Sequence, residues 1–290
     1  MNHRDLLADL SRRLGDPVME AALLSEGNTS ARDGGHMLVK ASGAVLGSAQ
    51  PEDFVRIALD EALRLIDDEH TGGADIDRWF DRIAAEQGRR PSVEALLHAV
   101  LYDQTPARVI AHSHPTAVNA LLCSEHPELL VDGALFPDQI VVLGAAPLLV
   151  PYIDPGLPLA REVRRLVRAH AERHGRPPAT VYLQNHGMFV VGANPDQVLG
   201  MTAMAQKCAR AIIGAAAVGG VRFMPAEEVQ RIDTRPDEVY RRALLAEGWR
   251  DDRRDARGQG RGVDRCEFGD RPRDGERARR GGLPRCGRRP

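Results

Sequence analysis

The spacing of apolar residues predicts alternating helices and short strands as far as residue 249. Near the N-terminus Leu6, Leu7, Leu10 and Leu14 fall on one face of a helix, a pattern typical of an amphipathic helix. The same period predicts helices at residues 2–14, 51–66, 92–101, 116–123, 159–174, 196–217 and 226–247, the last as one or two helices, with a polar connection around a short helix at 72–88. Short runs rich in Val, Ile and Leu predict strands at residues 36–40, 109–115, 139–143, 147–150 and, as a pair about a turn, 180–191.

The pattern stops after Trp249. From Arg250 to Pro290 the chain holds 14 arginines against 8 acidic residues, with frequent glycine and no apolar period. Such a segment cannot bury enough apolar surface to offset the entropy lost on folding. We therefore expect one folded domain over residues 1–249 and a disordered Arg/Gly-rich tail over residues 250–290. The tail is either an RNA-contacting segment or, in the interpretation we favour, a frame-shift product of GC-rich coding sequence.

Charge and cysteine content narrow the class of protein. The net charge of −2 averages a tail at +6 and a body at −8, and an acidic body argues against a nucleic-acid surface, which needs clustered Lys and Arg. The four cysteines show neither a C-x-x-C pair nor the spacing of a disulfide framework. No signal peptide or membrane-spanning stretch is evident. We expect a globular, cytoplasmic protein that binds neither nucleic acid nor membranes.

Two histidines at the end of the strand over residues 109–115 are the first candidates for a metal site. Side chains alternate faces along a strand, so His112 and His114 point the same way and can close on one ion. A second element must supply further ligands. His186 is the best candidate, because it too follows a β-rich run, at residues 181–183. The metal hypothesis depends on whether these three imidazoles meet.

The helix that begins near residue 92 carries a candidate acid. Ser92 is placed to cap that helix, and Glu94 then lies in the first turn, where the helix dipole favours an acid on structural grounds alone. His98, one turn later, is expected to pack in the core or to support a ligand rather than to be one. His170 and His174 are expected on the solvated side of their helix, where no His-Glu-x-x-His zinc motif is present.

Two small polar turns are candidates for anion binding. The pair Gly27 and Asn28 suits a tight turn with exposed backbone N–H groups, and Ser42 with Gly43 ends a predicted strand. Turns of this kind can form a nest for phosphate or carboxylate, although a plain hairpin turn is the ordinary interpretation of the first pair. Lys40 is one of only two lysines, and it is either an exposed residue at a strand end or a point charge for that anion.

Together these motifs resemble the class II aldolase/adducin family. The sequences at residues 25–30 and 40–43 are most similar to bacterial sugar-phosphate aldolases of the rhamnulose and fuculose type, and the motifs occur in the family's order over residues 1 to about 220. The residues that carry the resemblance are Gly27-Asn28-Thr29-Ser30, Lys40-Ala41-Ser42-Gly43, Pro91-Ser92-Val93-Glu94, His112-Ser113-His114-Pro115 and Asn185-His186-Gly187.

The resemblance implies a three-layer α/β/α domain around a mostly antiparallel central sheet, usually in a homotetramer with active sites between subunits. It implies that His112, His114 and His186 bind Zn²⁺ or another divalent transition metal and that Glu94 is the catalytic acid/base. Three neutral imidazoles leave the ion its double charge and an open coordination position, as in catalytic zinc sites. The substrate phosphate, or its equivalent, would be bound by Gly27, Asn28, Ser42, Gly43 and Ser92.

The implied function is that of a metal-dependent aldolase, a lyase that cleaves a carbon–carbon bond of a ketose phosphate or related sugar acid through a metal-stabilised enediolate. A raised pKa would help Glu94 to move the proton on the adjacent carbon. Pentulose-phosphate 4-epimerases and decarboxylases of phosphorylated oxo acids in the same family share that enediolate, so the metal site does not separate them. An adducin-like interaction module without catalysis is the alternative from another class. The presence of all three histidines with Glu94 argues against it.

The chain departs from the fuculose-type pattern at two places. Those aldolases carry paired serines before the glutamate, whereas Val93 stands at the second position here and removes one hydroxyl from the anion site. They also carry a proton-donor tyrosine shortly after the His-x-His helix, but no tyrosine lies between Pro115 and Leu149. Three tyrosines remain as substitutes that the sequence does not rank: Tyr152, Tyr182 and Tyr240.

Overall fold

Seven strands form one sheet at the centre of the structure, a computed structural model that describes residues 2–247. They are β1 Asn28–Asp33, β2 His36–Lys40, β3 Phe54–Ala58, β4 Val109–Ser113, β5 Leu148–Val150, β6 Thr180–Leu183 and β7 Gly187–Gly192. Their spatial order is β3-β2-β1-β4-β7-β6-β5. Every neighbouring pair is antiparallel except β5 with β6.

Helices cover both faces of this sheet. They are α1 His3–Leu14, α2 Leu59–Asp67, α3 Gly73–Gln87, α4 Ala95–Gln104, α5 Thr116–Leu122, α6 Pro137–Leu143, α7 Leu157–His174, α8 Pro195–Ala216, α9 Ala226–Thr234 and α10 Pro236–Glu247. One apolar core joins the sheet to α2, α3, α4 and α7, and a second core joins it to α1, α5, α6 and α8. Helices α9 and α10 pack against α6. These three layers around a mostly antiparallel sheet confirm the predicted fold class.

The central strand β4 divides its side chains between the two cores. Val109 and Ala111 belong to the core beneath α8, whereas Ile110 belongs to the core beneath α4. Because side chains alternate along a strand, His112 lies on the same face as Ile110. The pleat of β4 therefore directs His112 towards the start of α4, where Glu94 lies.

Three predictions of secondary structure are wrong. Residues 139–143, predicted as a strand, belong to α6, because a short buried apolar run has no period that separates helix from strand. Residues 51–66, predicted as one helix, form a 3-10 turn, then β3 at the sheet edge, then α2. Residues 72–88, predicted as a polar connection around a short helix, form the 15-residue α3, which buries Ile76, Trp79, Phe80 and Ile83.

The start of α4 also differs from its prediction. Glu94, not Ser92, holds the N-cap position, and the Glu94 side chain makes no capping hydrogen bond. Eight residues of α4, from Ala95 to Tyr102, are buried, so only the last two residues of the helix contact solvent. The carboxylate at its start is therefore free for contacts away from the helix.

His170 is buried rather than solvated. It lies one turn after Val167 on the buried face of α7 that also holds Val163, which explains why it faces inward. Its Nδ1 and Nε2 lie 3.1 and 2.8 Å from the carbonyl oxygens of Arg176 and Ala146. The exposed position of the neighbouring His174 is as predicted.

Two further expectations concern membranes and the tail. Among residues 2–247 no helix has both the length and the apolar character needed to cross a membrane. The predicted tail over residues 250–290 lies outside the described residues. The domain boundary at residue 249 stays a prediction.

A close approach between two glycines fixes the loop after α1. A Cβ on Gly15 would stand 2.2 Å from the backbone nitrogen of Gly47, which lies in the turn Leu46–Ser48. The contact joins backbone to backbone, so no side chain can move aside. The same loop also pairs with the end of β4, because the His114 N–H donates to the Ala21 carbonyl oxygen at 2.8 Å.

Replacing Gly15 by Ala is expected to lower the free energy of unfolding by about 1–3 kcal/mol, the usual cost of overpacking. Gly200→Ala is the control, because Gly200 lies inside α8 and nothing is within 4 Å of an added Cβ. Alanine favours a helix interior over glycine by about 0.5–1 kcal/mol. Chemical denaturation measures both variants, and equal stabilities would contradict the close contact.

Candidate metal centre

Four side chains from three segments meet beyond the end of β4. Glu94, His112, His114 and His186 each offer one ligand atom, and these atoms lie within 4.8 Å of one another. Glu94 precedes α4, two histidines lie at the end of β4, and His186 lies in the turn between β6 and β7. The structure thus brings together the three imidazoles on which the metal hypothesis depends, with Glu94 beside them.

The sheet register sets the position of His112. Antiparallel pairing places Asn28 of β1 and Phe189 of β7 opposite it, and opposite side chains share a face. The Phe189 ring stacks on the His112 ring with centroids 4.3 Å apart. The His112 Nδ1–H donates to the Met188 carbonyl oxygen at 3.0 Å. Because a carbonyl oxygen carries no proton, Nδ1 holds a proton and Nε2 is the nitrogen that faces the cluster.

His114 lies one residue beyond β4 and is partly exposed. Its Nε2 is 2.9 Å from His112 Nε2, and its Nδ1 is 3.1 Å from Glu26 Oε2. The ring rests on the start of β7, where a Cβ on Gly187 would stand 2.4 Å from His114 Cδ2. Burial, followed by the charge of His112, lowers the pKa of His114 to about 4. The imidazole is therefore neutral near pH 7.

The turn that holds His186 is tied to α5. Asn185 has a φ of 55°, in the left-handed region that asparagine tolerates better than most residues. Its N–H donates to the Leu122 carbonyl oxygen at 3.1 Å. Asn119 Nδ2 donates to the His186 carbonyl oxygen at 3.0 Å. Helix α5 therefore positions the third imidazole.

The Glu94 carboxylate connects the imidazoles to β1. Its Oε1 lies 2.8 Å from His186 Nε2 and 3.1 Å from His112 Nε2. Its Oε2 accepts a hydrogen bond from Asn28 Nδ2 at 2.6 Å. Burial alone would raise the pKa of Glu94, but His112 and His186 outweigh it and hold the pKa well below the ordinary range. In this arrangement the carboxylate is ionised, and the raised pKa that would help proton transfer is not present.

The chemistry of this donor set fits a divalent transition metal. Imidazole nitrogen and carboxylate oxygen are both ligands of zinc. Two nitrogens bound to one tetrahedral zinc ion stand about 3.3–3.4 Å apart, and the Nε2 atoms of His112 and His114 are 2.9 Å apart. The outer nitrogen of each of these two rings faces an oxygen acceptor, as is usual for metal-binding histidines.

A comparison with known families identifies the family of this chain. The family described as "Class II Aldolase and Adducin N-terminal domain" matches residues 5–213. The chain belongs to this family. The match confirms the predicted family.

Two curated relatives of this class II aldolase family member are named as dehydratases. The methylthioribulose-1-phosphate dehydratase of Acidiphilium cryptum is 28% identical over 128 residues, 42% of this chain and 58% of that protein. A probable bifunctional methylthioribose-1-phosphate isomerase/methylthioribulose-1-phosphate dehydratase of Nocardia farcinica is 28% identical over 176 residues, 59% of this chain and 28% of that protein. The chain therefore spans little more than half of the first relative and less of the second.

A solved structure of an L-fuculose 1-phosphate aldolase has the same fold. Its TM-score is 0.60 at 19% identity, and the match covers 80% of this chain and 94% of that one. At this level of identity the likeness concerns the fold alone.

Behind Glu94, a series of buried hydrogen bonds leads from β1 into α4 of this class II aldolase domain. An ionised Glu94 only accepts, so Asn28 turns its Nδ2 towards it and its Oδ1 towards His98 Nε2, which donates. His98 Nδ1 then accepts from the Ser30 hydroxyl at 2.6 Å, and the Tyr102 hydroxyl donates to Ser30 Oγ at 2.8 Å. Burial lowers the pKa of His98 to about 3, which keeps the ring neutral. His98 thus supports the site from the core.

Three of the five residues predicted to bind the substrate anion lie at the site. Asn28 Nδ2 donates to Ser92 Oγ at 2.9 Å as well as to Glu94. Gly27 has a φ of 70°, and a Cβ there would stand 2.9 Å from the His112 carbonyl oxygen. A plain hairpin turn is not what these residues form, because Asn28 is already the first residue of β1.

The other two predicted anion-binding residues, Ser42 and Gly43, form an exposed turn after β2. The Ser42 N–H donates to the Arg90 carbonyl oxygen at 2.9 Å, which ties this turn to the segment before α4. Val93, which replaces a serine of the fuculose-type pattern, is 53% exposed. The turn thus lies at the margin of the site, close in the fold to Ser92.

Lys40 is neither exposed nor directed at an anion. It is 2% exposed, and its Nζ donates to the carbonyl oxygens of Ser25, at 3.1 Å, and Ala44. Burial lowers its pKa to about 8, although Glu94 and Asp53 act against this. Lys40 therefore joins the loop before β1 to the turn after β2, the two segments that carry the predicted anion-binding residues.

Sequence reasoning does not identify Glu26, whose carboxylate faces His114. No spacing rule links a glutamate in a polar loop to a histidine at the end of a distant strand, so only the fold reveals the pair. An open pocket of about 340 Å³ lies beside them. Its lining includes Leu23, Leu24, Glu26, Val45, Leu46 and His114.

His98→Leu is expected to lower the free energy of unfolding by about 2–4 kcal/mol, because buried polar atoms of Asn28 and Ser30 each lose a partner at about 1–3 kcal/mol. His98→Gln, which retains an N–H donor, should lose less. His70→Leu is the control, since the His70 side chain is 96% exposed. Chemical denaturation compares the three, and equal losses for His98→Leu and His70→Leu would refute the supporting role of His98.

Proposed function

We propose that this chain is a metal-dependent aldolase, a lyase that breaks a carbon–carbon bond of a ketose phosphate or related sugar acid. The observation that supports this most is the position of Glu94. Its Oε1 is within hydrogen-bonding distance of two imidazole nitrogens, of His186 and His112, that would hold the ion. A proton carrier and a metal site therefore converge on one point, which a catalytic site needs and a plain interaction module does not.

The metal-binding role falls to His112, His114 and His186. Bound there, a divalent ion such as Zn²⁺ would supply a Lewis acid that polarises a substrate carbonyl. As neutral imidazoles the three residues would leave the charge of the ion uncompensated. Met188 orients one ring through its carbonyl oxygen, so this ligand geometry does not depend on the substrate.

Glu94 would move the proton. In the cleavage direction the departing aldehyde forms as its hydroxyl loses a proton, and the carbon next to the carbonyl gains one as the carbon–carbon bond breaks. The reaction balances if one carboxylate takes the proton from the hydroxyl and delivers it to the carbon next to the carbonyl. Asn28 would steady this group through the other carboxylate oxygen, at 2.6 Å.

No tyrosine supports the alternative of a separate proton donor. Tyr182 is 1% exposed within the core beneath α8. Tyr152 and Tyr240 are 56% and 65% exposed, and the Tyr152 hydroxyl donates to Asp154 at 3.0 Å. Across residues 2–247, none of the three hydrogen-bonds to the Glu94 and histidine cluster. Within a single chain, Glu94 is therefore the candidate carrier at both places.

The anionic end of the substrate would bind through neutral donors. Lys40 commits its ammonium group to backbone carbonyl oxygens, which leaves the hydroxyl and backbone N–H groups near Asn28 as the donors. Such a site suits a phosphate or a carboxylate without strong preference for double charge. We assign the anion site to Gly27, Asn28, Ser42, Gly43 and Ser92.

A dehydratase is the second candidate, and the names of the two curated relatives favour it. The same Glu94 would remove a proton from the carbon next to the carbonyl, and a hydroxyl would leave from the following carbon as water. A 4-epimerase or a decarboxylase would use the same proton carrier. The products separate these reactions, because only an aldolase releases an aldehyde with dihydroxyacetone phosphate from a ketose 1-phosphate.

We further propose that the enzyme acts as a homotetramer in cytoplasmic carbohydrate metabolism. The resemblance to sugar-phosphate aldolases supports this. Exposed apolar side chains beside the pocket, Leu23 at 71% and Leu24 at 77%, agree with a surface that another subunit covers.

The purified protein is expected to carry one divalent transition-metal ion per chain, and His112→Ala and His186→Ala are expected to lose it. Each variant removes an imidazole from the site and leaves too few ligands for tight binding. His126→Ala is the control, because His126 is exposed and pairs with Glu128 away from the cluster. Elemental analysis after dialysis gives the stoichiometry. Wild-type protein without metal, or a metal-loaded His112→Ala, would remove the basis of the proposal.

Glu94→Gln is expected to keep its metal and to lose about 10²–10⁴-fold in turnover, the usual contribution of a general acid or base. A screen of ketose 1-phosphates, with and without a chelator, provides the assay. Glu128→Gln is the control, because Glu128 is an exposed glutamate of the 3-10 turn Pro127–Leu130. Full activity of Glu94→Gln on the substrate found by the screen would exclude Glu94 as the proton carrier.

A further inference from the structure

The loop before β1 brings a carboxylate to the outer side of His114. Glu26 Oε2 lies 3.1 Å from His114 Nδ1, and the Nε2 of the same ring lies 2.9 Å from His112 Nε2. One ring nitrogen thus faces an acid, and the other faces the metal centre. Glu26 itself is not among the residues that offer a ligand atom to that centre.

This contact determines the tautomer of His114. A carboxylate at neutral pH has acceptors only, so the Nδ1 that faces Glu26 must carry the proton of the neutral ring. The Nε2 then presents its lone pair to His112 and to the position of an ion. In a metal-binding histidine this is the required form, because a protonated nitrogen cannot bind a metal.

The Glu26 side chain is held in place by its own loop. Its second oxygen, Oε1, accepts from the Leu23 N–H at 2.5 Å, and the Glu26 N–H donates back to the Leu23 carbonyl oxygen at 3.2 Å. The preceding residue, Ser25, accepts from buried Lys40. Because each oxygen of this carboxylate has a partner, the side chain is held more firmly than an exposed acid that forms a chance ion pair.

The two strand histidines are supported by different means. His112 donates to a backbone carbonyl oxygen, that of Met188, which no side-chain substitution removes. His114 depends on a side chain, and that side chain is 35% exposed on the wall of the pocket. The supporting contact of His114 is therefore the one that can be removed without disturbing the sheet.

We propose that Glu26 is a positioning residue of the metal centre, which fixes the ring orientation and tautomer of His114 and strengthens it as a ligand. This rests on the proposed function, since it takes His114 to bind the ion. A carboxylate on the outer nitrogen of a metal-binding histidine also raises the basicity of the inner one. The proposal assigns a role to a residue that belongs to none of the five motifs of the resemblance.

Glu26→Ala is expected to weaken the affinity for Zn²⁺ by about 10–100-fold, measured by competition with a chromophoric chelator. Glu26→Gln keeps an oxygen for Nδ1–H or for the Leu23 N–H but loses the charge, so a smaller loss is expected. Because it keeps an oxygen, Glu26→Gln also separates the effect of the lost charge from the effect of a disturbed loop. A second readout needs no metal, because nitrogen NMR of the metal-free protein reports which ring nitrogen of His114 is protonated. Glu26→Ala should reduce the Nδ1–H form.

Glu20→Gln is the matched control. Glu20 lines the same pocket, but its carboxylate pairs with Arg210 rather than with a histidine, so both readouts should equal those of the wild type. The assignment is overturned if Glu26→Ala binds Zn²⁺ as tightly as the wild type, or if the tautomer of His114 is unaffected. If the wild type itself binds no Zn²⁺, the proposed function falls together with this assignment. If the wild type binds Zn²⁺ and Glu26→Ala binds it equally, only this assignment falls.

Discussion

The pairing of β4 between β1 and β7 is the constraint on which the candidate metal centre depends. Its register sets His112 opposite Asn28 on one side and Phe189 on the other, all on the face that looks towards α4. A slip of one residue would turn His112 to the opposite core and bring Ser113 to the site. The register is secured by the alternation of Val109, Ile110 and Ala111 between two apolar cores. The packing of the domain thus determines the position of His112.

Different contacts hold the individual side chains of the centre, and these contacts differ in how deeply they are buried. Glu94 is backed by Asn28 and by buried His98, whose ring is 0% exposed. A substitution there would disturb the core as well as the site, since buried polar networks are costly when one member is lost. His114 relies on the loop residue Glu26 near the pocket. The contacts of Glu94 with Asn28 and His98 are therefore part of the core, whereas the contact of His114 with Glu26 can change at little cost to the fold.

Sequence reasoning identifies the parts of the centre that obey a local rule. His112 and His114 follow from strand alternation, and their motif order led to the family and the fold. The failures are contacts between distant segments. Nothing local shows that Lys40 is buried against backbone carbonyl oxygens or that Glu26 meets His114. A different reason explains the helix at residues 139–143, because a short buried apolar run has no period that separates helix from strand.

The donors of Asn28 link the two halves of the proposed site. Its amide has two protons, of which one bonds Ser92 Oγ and the other Glu94 Oε2. An anion that took the proton bonded to Glu94 would weaken the arrangement that holds Glu94 against His186 and His112. Those positions near the imidazoles are also where a substrate oxygen must enter, so Glu94 has to leave them before it can act on carbon. In the proposed function, an anion that displaced Glu94 Oε2 from Asn28 Nδ2 would couple its binding to the release of Glu94, whereas one that displaced Ser92 Oγ would leave Glu94 in place.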